Sequence, residues 1–211
     1  MFIEVGHMNR REASKAETRQ LILNAAKKLF VQKGVDQCTM RGIAAEAGVS
    51  PASVVVHFKN KTALLEVALY EDIERTISRA VATLPEKETL LNTIMHIAKT
   101  MFTFYGTHRE LYRILIRNTV FEPEENSPHL TRQLERYLRF FGELIKQEKK
   151  IGNVRPDADA HIAAASLFSL YFSGLIDFLR HPDMTVDKAL GKLSVVANQH
   201  LTGIMIVKEK K

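Results

Sequence analysis

Residues 39–53 read Thr-Met-Arg-Gly-Ile-Ala-Ala-Glu-Ala-Gly-Val-Ser-Pro-Ala-Ser, and they constrain this chain more than any other stretch. The Thr39 hydroxyl can accept a bond from an orphan N–H of a first helical turn. Ile43, Ala44 and Ala47 then share one helix face, with Ala44 small where a second helix must cross closely. Gly48 falls where the chain must turn, and glycine takes positive φ without steric cost. Val49 fills the gap between the two helices. Ser50 followed by Pro51 is a helix start, with serine at the cap and proline at the first helical position. The second helix covers residues 51–58. Two ordinary packed helices joined by a glycine turn are the plainer reading. Cap, small residue, turn glycine and second cap all agree in register, which favours a helix-turn-helix. That geometry lets one helix brace DNA while the next enters the major groove.

Charge supports that partner. Residues 1–61 hold 10 Lys and Arg against 5 Asp and Glu, while residues 62–211 hold 20 against 19. Nearly all of the +6 net charge therefore lies on the segment with the motif, as binding to a polyanion requires. A length of 211 residues with 45% hydrophobic and 26% charged content suits one or two ordinary globular domains. A single cysteine, Cys38, excludes an internal disulfide. Its place beside the Thr39 cap suits either a reactive thiol or, preferably, a buried inert one. The N-terminal stretch is polar and basic without an apolar signal region, so the expected compartment is the cytoplasm. Met1 to Met8 carry no usable pattern; Gly6-His7-Met8 reads as a cloning remnant before a start at Met8 or as an authentic upstream start.

Residues 18–69 resemble the DNA-binding domain of the TetR family of bacterial transcriptional regulators. The matching elements are Ala25-Ala26, Leu29-Phe30, Gly34, Thr39, Ile43-Ala44 and Ala47-Gly48-Val49-Ser50. His57-Phe58-Lys59-Asn60-Lys61 and Leu64-Leu65 follow at the family's spacing. One departure concerns the recognition helix. The family usually has an aromatic, often a phosphate-touching Tyr, where Val55 stands, and frequently another at Val56. Its usual Thr is here Ser53. The valines either read thymine methyl groups or pack inward.

Beyond the motif the pattern is helical throughout. Segments of about 15–24 residues carry apolar positions every three or four, broken near Pro85, Gly106-Thr107, Pro123 to Pro128, Gly152 to Pro156 and Pro182. The expectation is an all-α chain of about nine helices. A helix-turn-helix domain of three helices covers 9–61, and a second helical domain covers 62–206. The helix starting near Lys61 belongs to both. By the resemblance, the second domain binds a ligand and forms the dimer.

Phe102, Tyr105, Tyr137, Phe141, Phe168 and Phe172 are the candidates for an internal pocket, with His96 and Arg117 as polar partners. Such walls imply a hydrophobic or amphipathic effector. Aromatic residues at helical spacing are more often the material of an ordinary core. Residues 160–179 are long and apolar enough to raise a membrane span, but His161, Ser166, Ser169, Ser173 and Asp177 interrupt them. Ala165, Ser169 and Ser173 form a strip of small residues. Leu190, Leu193, Ala197 and Leu201 lie on a second apolar stripe. Two such helices per subunit suit a four-helix interface between two copies; the plainer reading is that both pack only within the subunit.

The chemistry of catalysis and metals has no matching pattern. Asp157, Asp159 and His161 alternate at a helix start and do not converge; aspartate complementing the helix dipole accounts for them. No nucleophile elbow or glycine-rich phosphate loop occurs. No cofactor or metal is expected, and the chain reads as a non-enzyme.

The integrated expectation is a homodimeric repressor that binds a near-palindromic operator and is released by a small molecule. Ser53 and Val54, Val55 and Val56 are placed near base edges. Ser50, Arg41, His57, Lys59 and Lys61 face phosphate. Thr39, Pro51 and Ala52 complete the contact surface. Arg10, Arg11 and Lys15 form an arm reaching the flanking backbone or the minor groove. The alternative is a helix-turn-helix regulator without a small-molecule pocket, whose C-terminal domain is a protein-interaction module. A helical protein of membrane surfaces is a third reading, supported only by the basic N-terminus.

Overall fold

The structure is a computed structural model that describes residues 10–86, 88–123 and 128–206. Met1 to Met8, and Asn9 where the first domain was expected to begin, lie outside the described residues. Nine helices occur among the described residues: α1 Arg10–Lys33, α2 Met40–Ala47, α3 Pro51–His57, α4 Lys61–Ala82, α5 Leu90–Thr107, α6 Arg109–Thr119, α7 Pro128–Lys150, α8 Ala160–Arg180 and α9 Val186–Ile204. The all-α architecture agrees with the sequence periodicity.

Local chemistry sets the boundaries of the first three helices. Thr39 Oγ1 accepts the Gly42 N–H at 3.0 Å and starts α2. Gly48 ends it with φ at 67°. Ser50 Oγ accepts the Ser53 N–H at 3.1 Å and starts α3, with Pro51 in its first turn. Ile22, Ala26 and Phe30 from α1, Ile43 and Ala44 from α2 and Val54 from α3 are all buried. Phe58, Leu64 and Leu65 close the same core. A Cβ at position 48 would meet nothing within 4 Å, so Gly48→Ala carries only the cost of left-handed backbone. We expect a loss of about 1 kcal/mol in denaturant unfolding; an unchanged midpoint would mean the turn relaxes to another conformation.

Asn60 caps α4 by accepting the Ala63 N–H at 2.8 Å. Leu64 and Leu65, in the first turns of α4, belong to the core under α1–α3. An ion pair between Lys27 and Asp72 also ties α1 to α4. Farther along, α4 packs against α5, α6 and α7. Asp159 starts α8, its Oδ1 accepting the His161 and Ile162 N–H groups at 2.8 and 2.9 Å. The Arg155 N–H donates to the Ile204 carbonyl and the Ile206 N–H to that of Asn153, each at 2.8 Å. These bonds fasten the end of α9 to the loop before α8.

Candidate DNA-binding face and internal cavity

Helix α3 presents a narrow inventory to solvent. Pro51, Ala52, Val55 and Val56 are exposed, and Ser53 and His57 are half-buried. Val54 is 0% exposed, which corrects its expected place at a base edge. In a helix that packs one face on α2, the residue at this register points into the core. Val55 at 59% and Val56 at 76% exposure point outward. Lys61 needs a second correction: its ammonium donates to the Val35 and Cys38 carbonyls at 2.9 and 3.1 Å, closing the α1–α2 loop instead of facing phosphate. Cys38 itself is buried, and desolvation pushes its thiol pKa up, as an inert thiol requires.

Arg41 and Lys59 are exposed on either side of α3. Arg10, Arg11 and Lys15 lie in the first turns of α1, so they form a helical cationic edge and not an extended arm. The His57 pKa is lowered by burial first and then by the charges of Lys15 and Arg19. Those two cations are therefore close to the end of α3. Arg19, absent from the sequence expectation, lies over the Phe58 ring at 5.1 Å. Thr39 is exposed with its oxygen already accepting the cap bond, and Ser50 shares a 3.0 Å hydroxyl contact with Ser53.

A cavity of about 270 Å³ opens between α4, α5, α6, α7 and α8. Of the expected ligand residues, Tyr105, Tyr137, Phe141, Phe168 and Phe172 line it. Three do not. Phe102 is fully buried and stacks on Phe178, ring centroids 5.4 Å apart. His96 Nε2 lies 3.0 Å from the Thr83 hydroxyl. Arg117 is exposed and faces Asp36 at 4.0 Å.

One end of the cavity is polar, and sequence reasoning missed it. Glu66 is only 6% exposed, and its Oε1 accepts the His129 and Leu130 N–H groups at 3.1 and 3.4 Å, in the first turn of α7. Burial pushes its carboxyl pKa up, and the two N–H groups oppose the shift. Arg136 pairs with Glu74 and donates to the Tyr70 hydroxyl at 3.2 Å. Gln133 donates to Glu74 at 3.1 Å. The signal was present in the spacing: residues 66, 70, 73, 74, 77 and 81 recur at three and four along one face of α4.

The outer faces of α8 and α9 have no partner within the described residues. Ser169 and Ser173 are exposed and Ala165 half-buried; Ile162 on the same helix is 65% exposed and Val195 on α9 is 68% exposed. The Ser166 and Ser169 hydroxyls donate to carbonyls one turn back, at 2.9 and 3.0 Å, so the strip is smooth and internally satisfied. The second stripe is corrected. Leu193, Ala197 and Leu201 are buried inside the subunit and Leu190 is half-buried. That face of α9 is taken up by α5 and α8. Asp157 pairs with Arg155 and Asp159 caps α8, so their sequence cluster with His161 is accounted for structurally.

Residues 22–68 match the family model described as bacterial regulatory proteins, tetR family. The chain is 22% identical over 173 residues to the HTH-type transcriptional regulator UidR of Escherichia coli K12, covering 81% of this chain and 86% of that protein. It is 44% identical over 54 residues to the HTH-type transcriptional repressor BepR of Brucella suis, covering 26% of each chain. Among solved structures it is similar to Thermus thermophilus FadR, a TetR-family transcriptional repressor in complex with lauroyl-CoA. That likeness has a TM-score of 0.70 at 18% identity and covers 91% of this chain and 97% of the other.

Proposed function

We propose, from the premise that the chain belongs to the TetR family of bacterial transcriptional regulators, that it is a homodimeric repressor released from its operator by a hydrophobic or amphipathic molecule. The DNA-binding unit is 9–61 and the ligand-binding and dimerisation unit 62–206. Two α3 helices enter successive major grooves about 34–36 Å apart on a near-palindromic site. Ser53, Val55 and Val56 face the bases; Arg41, Ser50 and Lys59, with the α1 cations, face phosphate. The protein works in the cytoplasm, where its operator is.

One observation carries the ligand reading: α4 is at once part of the core under α3 and a wall of the cavity. A molecule in that cavity acts through its different affinity for the two separations of the recognition helices. Glu66 joins α4 to the start of α7 at the polar end, so an occupant there strains the tie. Lauroyl-CoA in the Thermus thermophilus relative supports an acyl chain as one kind of group such walls accept. A pure protein-interaction domain would not need this cavity. A hydrophobic compound that raises the melting temperature in proportion to its concentration separates the two readings.

The dimer reading rests on α8. This helix is long and apolar enough to cross a membrane, with mean hydropathy 1.7, yet only 33% of its most apolar window is buried in one chain. A second copy gives that face a partner.

A shift assay on DNA from the protein's own promoter region, run across a salt series, tests the DNA reading. Salt-insensitive or absent binding on every sequence overturns it. Lys59→Ala should weaken binding about equally on all sequences and make the salt slope shallower by about one. A changed sequence preference would place Lys59 at a base instead.

A further inference from the structure

Base recognition by α3 must work with few polar groups. Its exposed side chains are Pro51, Ala52, Val55 and Val56, none of which donates or accepts a hydrogen bond. Ser53 Oγ is engaged with Ser50 Oγ at 3.0 Å. No Arg, Lys, Asn or Gln stands within Pro51–His57, so the bidentate pairs that read guanine and adenine are not available from this helix. Two branched apolar side chains are exposed on this helix, and the segments before and after it in sequence carry the exposed cations Arg41 and Lys59. In the major groove the apolar group a base offers is the thymine 5-methyl.

We propose that Val55 and Val56 determine operator specificity by packing on the 5-methyl groups of thymines at neighbouring base pairs of each half-site. The proposal rests on the DNA-binding reading above and adds the chemistry by which the sequence is read. Consecutive helical residues rise by about 1.5 Å and diverge by roughly 100°, so the two side chains reach adjacent pairs and not the same one.

The test uses the full chain and duplexes it selects from a randomised library. Each thymidine of the selected half-site is replaced in turn by deoxyuridine, which keeps every hydrogen-bonding group and removes only the methyl. Affinity should fall about fourfold for each contacted methyl, the value of about one buried carbon group. In Val55→Ala and Val56→Ala, whose parent side chains are exposed, one of the two penalties should vanish in each. Uracil tolerated at every position, or penalties unchanged in both variants, overturns the methyl readout while selection of a sequence keeps the DNA reading. Salt-dependent binding with no sequence selected also overturns the readout alone. Failure to bind any duplex overturns both.

Discussion

Val54→Asp and Val56→Asp both abolish operator binding, and for opposite reasons. Val54 is 0% exposed beneath α3, in the core that holds Ile43, Ala44 and Phe58. A carboxylate there enters an apolar core, and its burial costs several kcal/mol, a large part of the roughly 5–15 kcal/mol that holds a domain together. The helix-turn-helix then melts, and thermal unfolding followed by circular dichroism shifts strongly downward. Val56 is 76% exposed, so the same substitution there should change stability by less than about 0.5 kcal/mol. It places a negative charge against the phosphate-lined groove, and binding is lost with the fold intact. Comparable melting of the two variants would show that the face of α3 is wrongly oriented.

That pair of neighbours marks the limit of what the sequence made legible. Caps and turn were readable because each depends on its own residue and the next few: Thr39, Gly48, Ser50 and Asp159 all act within four positions. The rotation of α3 about its axis was not readable, since three consecutive valines give no periodic signal. Only the packing of α3 on α1 and α2 decides that Val54 turns inward. Lys61 illustrates the same point, because the carbonyls that occupy it lie 26 and 23 residues earlier. The cavity walls were legible where an aromatic residue also faced the right neighbour, as Tyr137 and Phe168 do with rings 5.0 Å apart. Phe102 has the same composition signal and stacks instead on Phe178, a partner the sequence does not announce. The polar end was missed because charged residues on α4 and α7 read separately as solvated faces. It becomes a site only when Glu66 meets the first turn of α7.

The same logic of face and partner gives the second large effect, on assembly. Ser169 is exposed in the middle of the small-residue strip of α8, and its hydroxyl is satisfied by the Ala165 carbonyl. Ser169→Arg therefore leaves the subunit fold untouched while placing a long cation where a second α8 would approach. In a two-fold interface the added charge meets its own copy, so each dimer brings two like charges together. The parent should sediment as a dimer at micromolar concentration and the variant as a monomer. Operator affinity should fall by two orders of magnitude or more, because a monomer loses the roughly 10²–10⁴-fold gain of holding both half-sites at once. Its affinity for an isolated half-site should match that of the parent. A Ser169→Arg protein that remains dimeric with full operator affinity would place the interface elsewhere on the molecule.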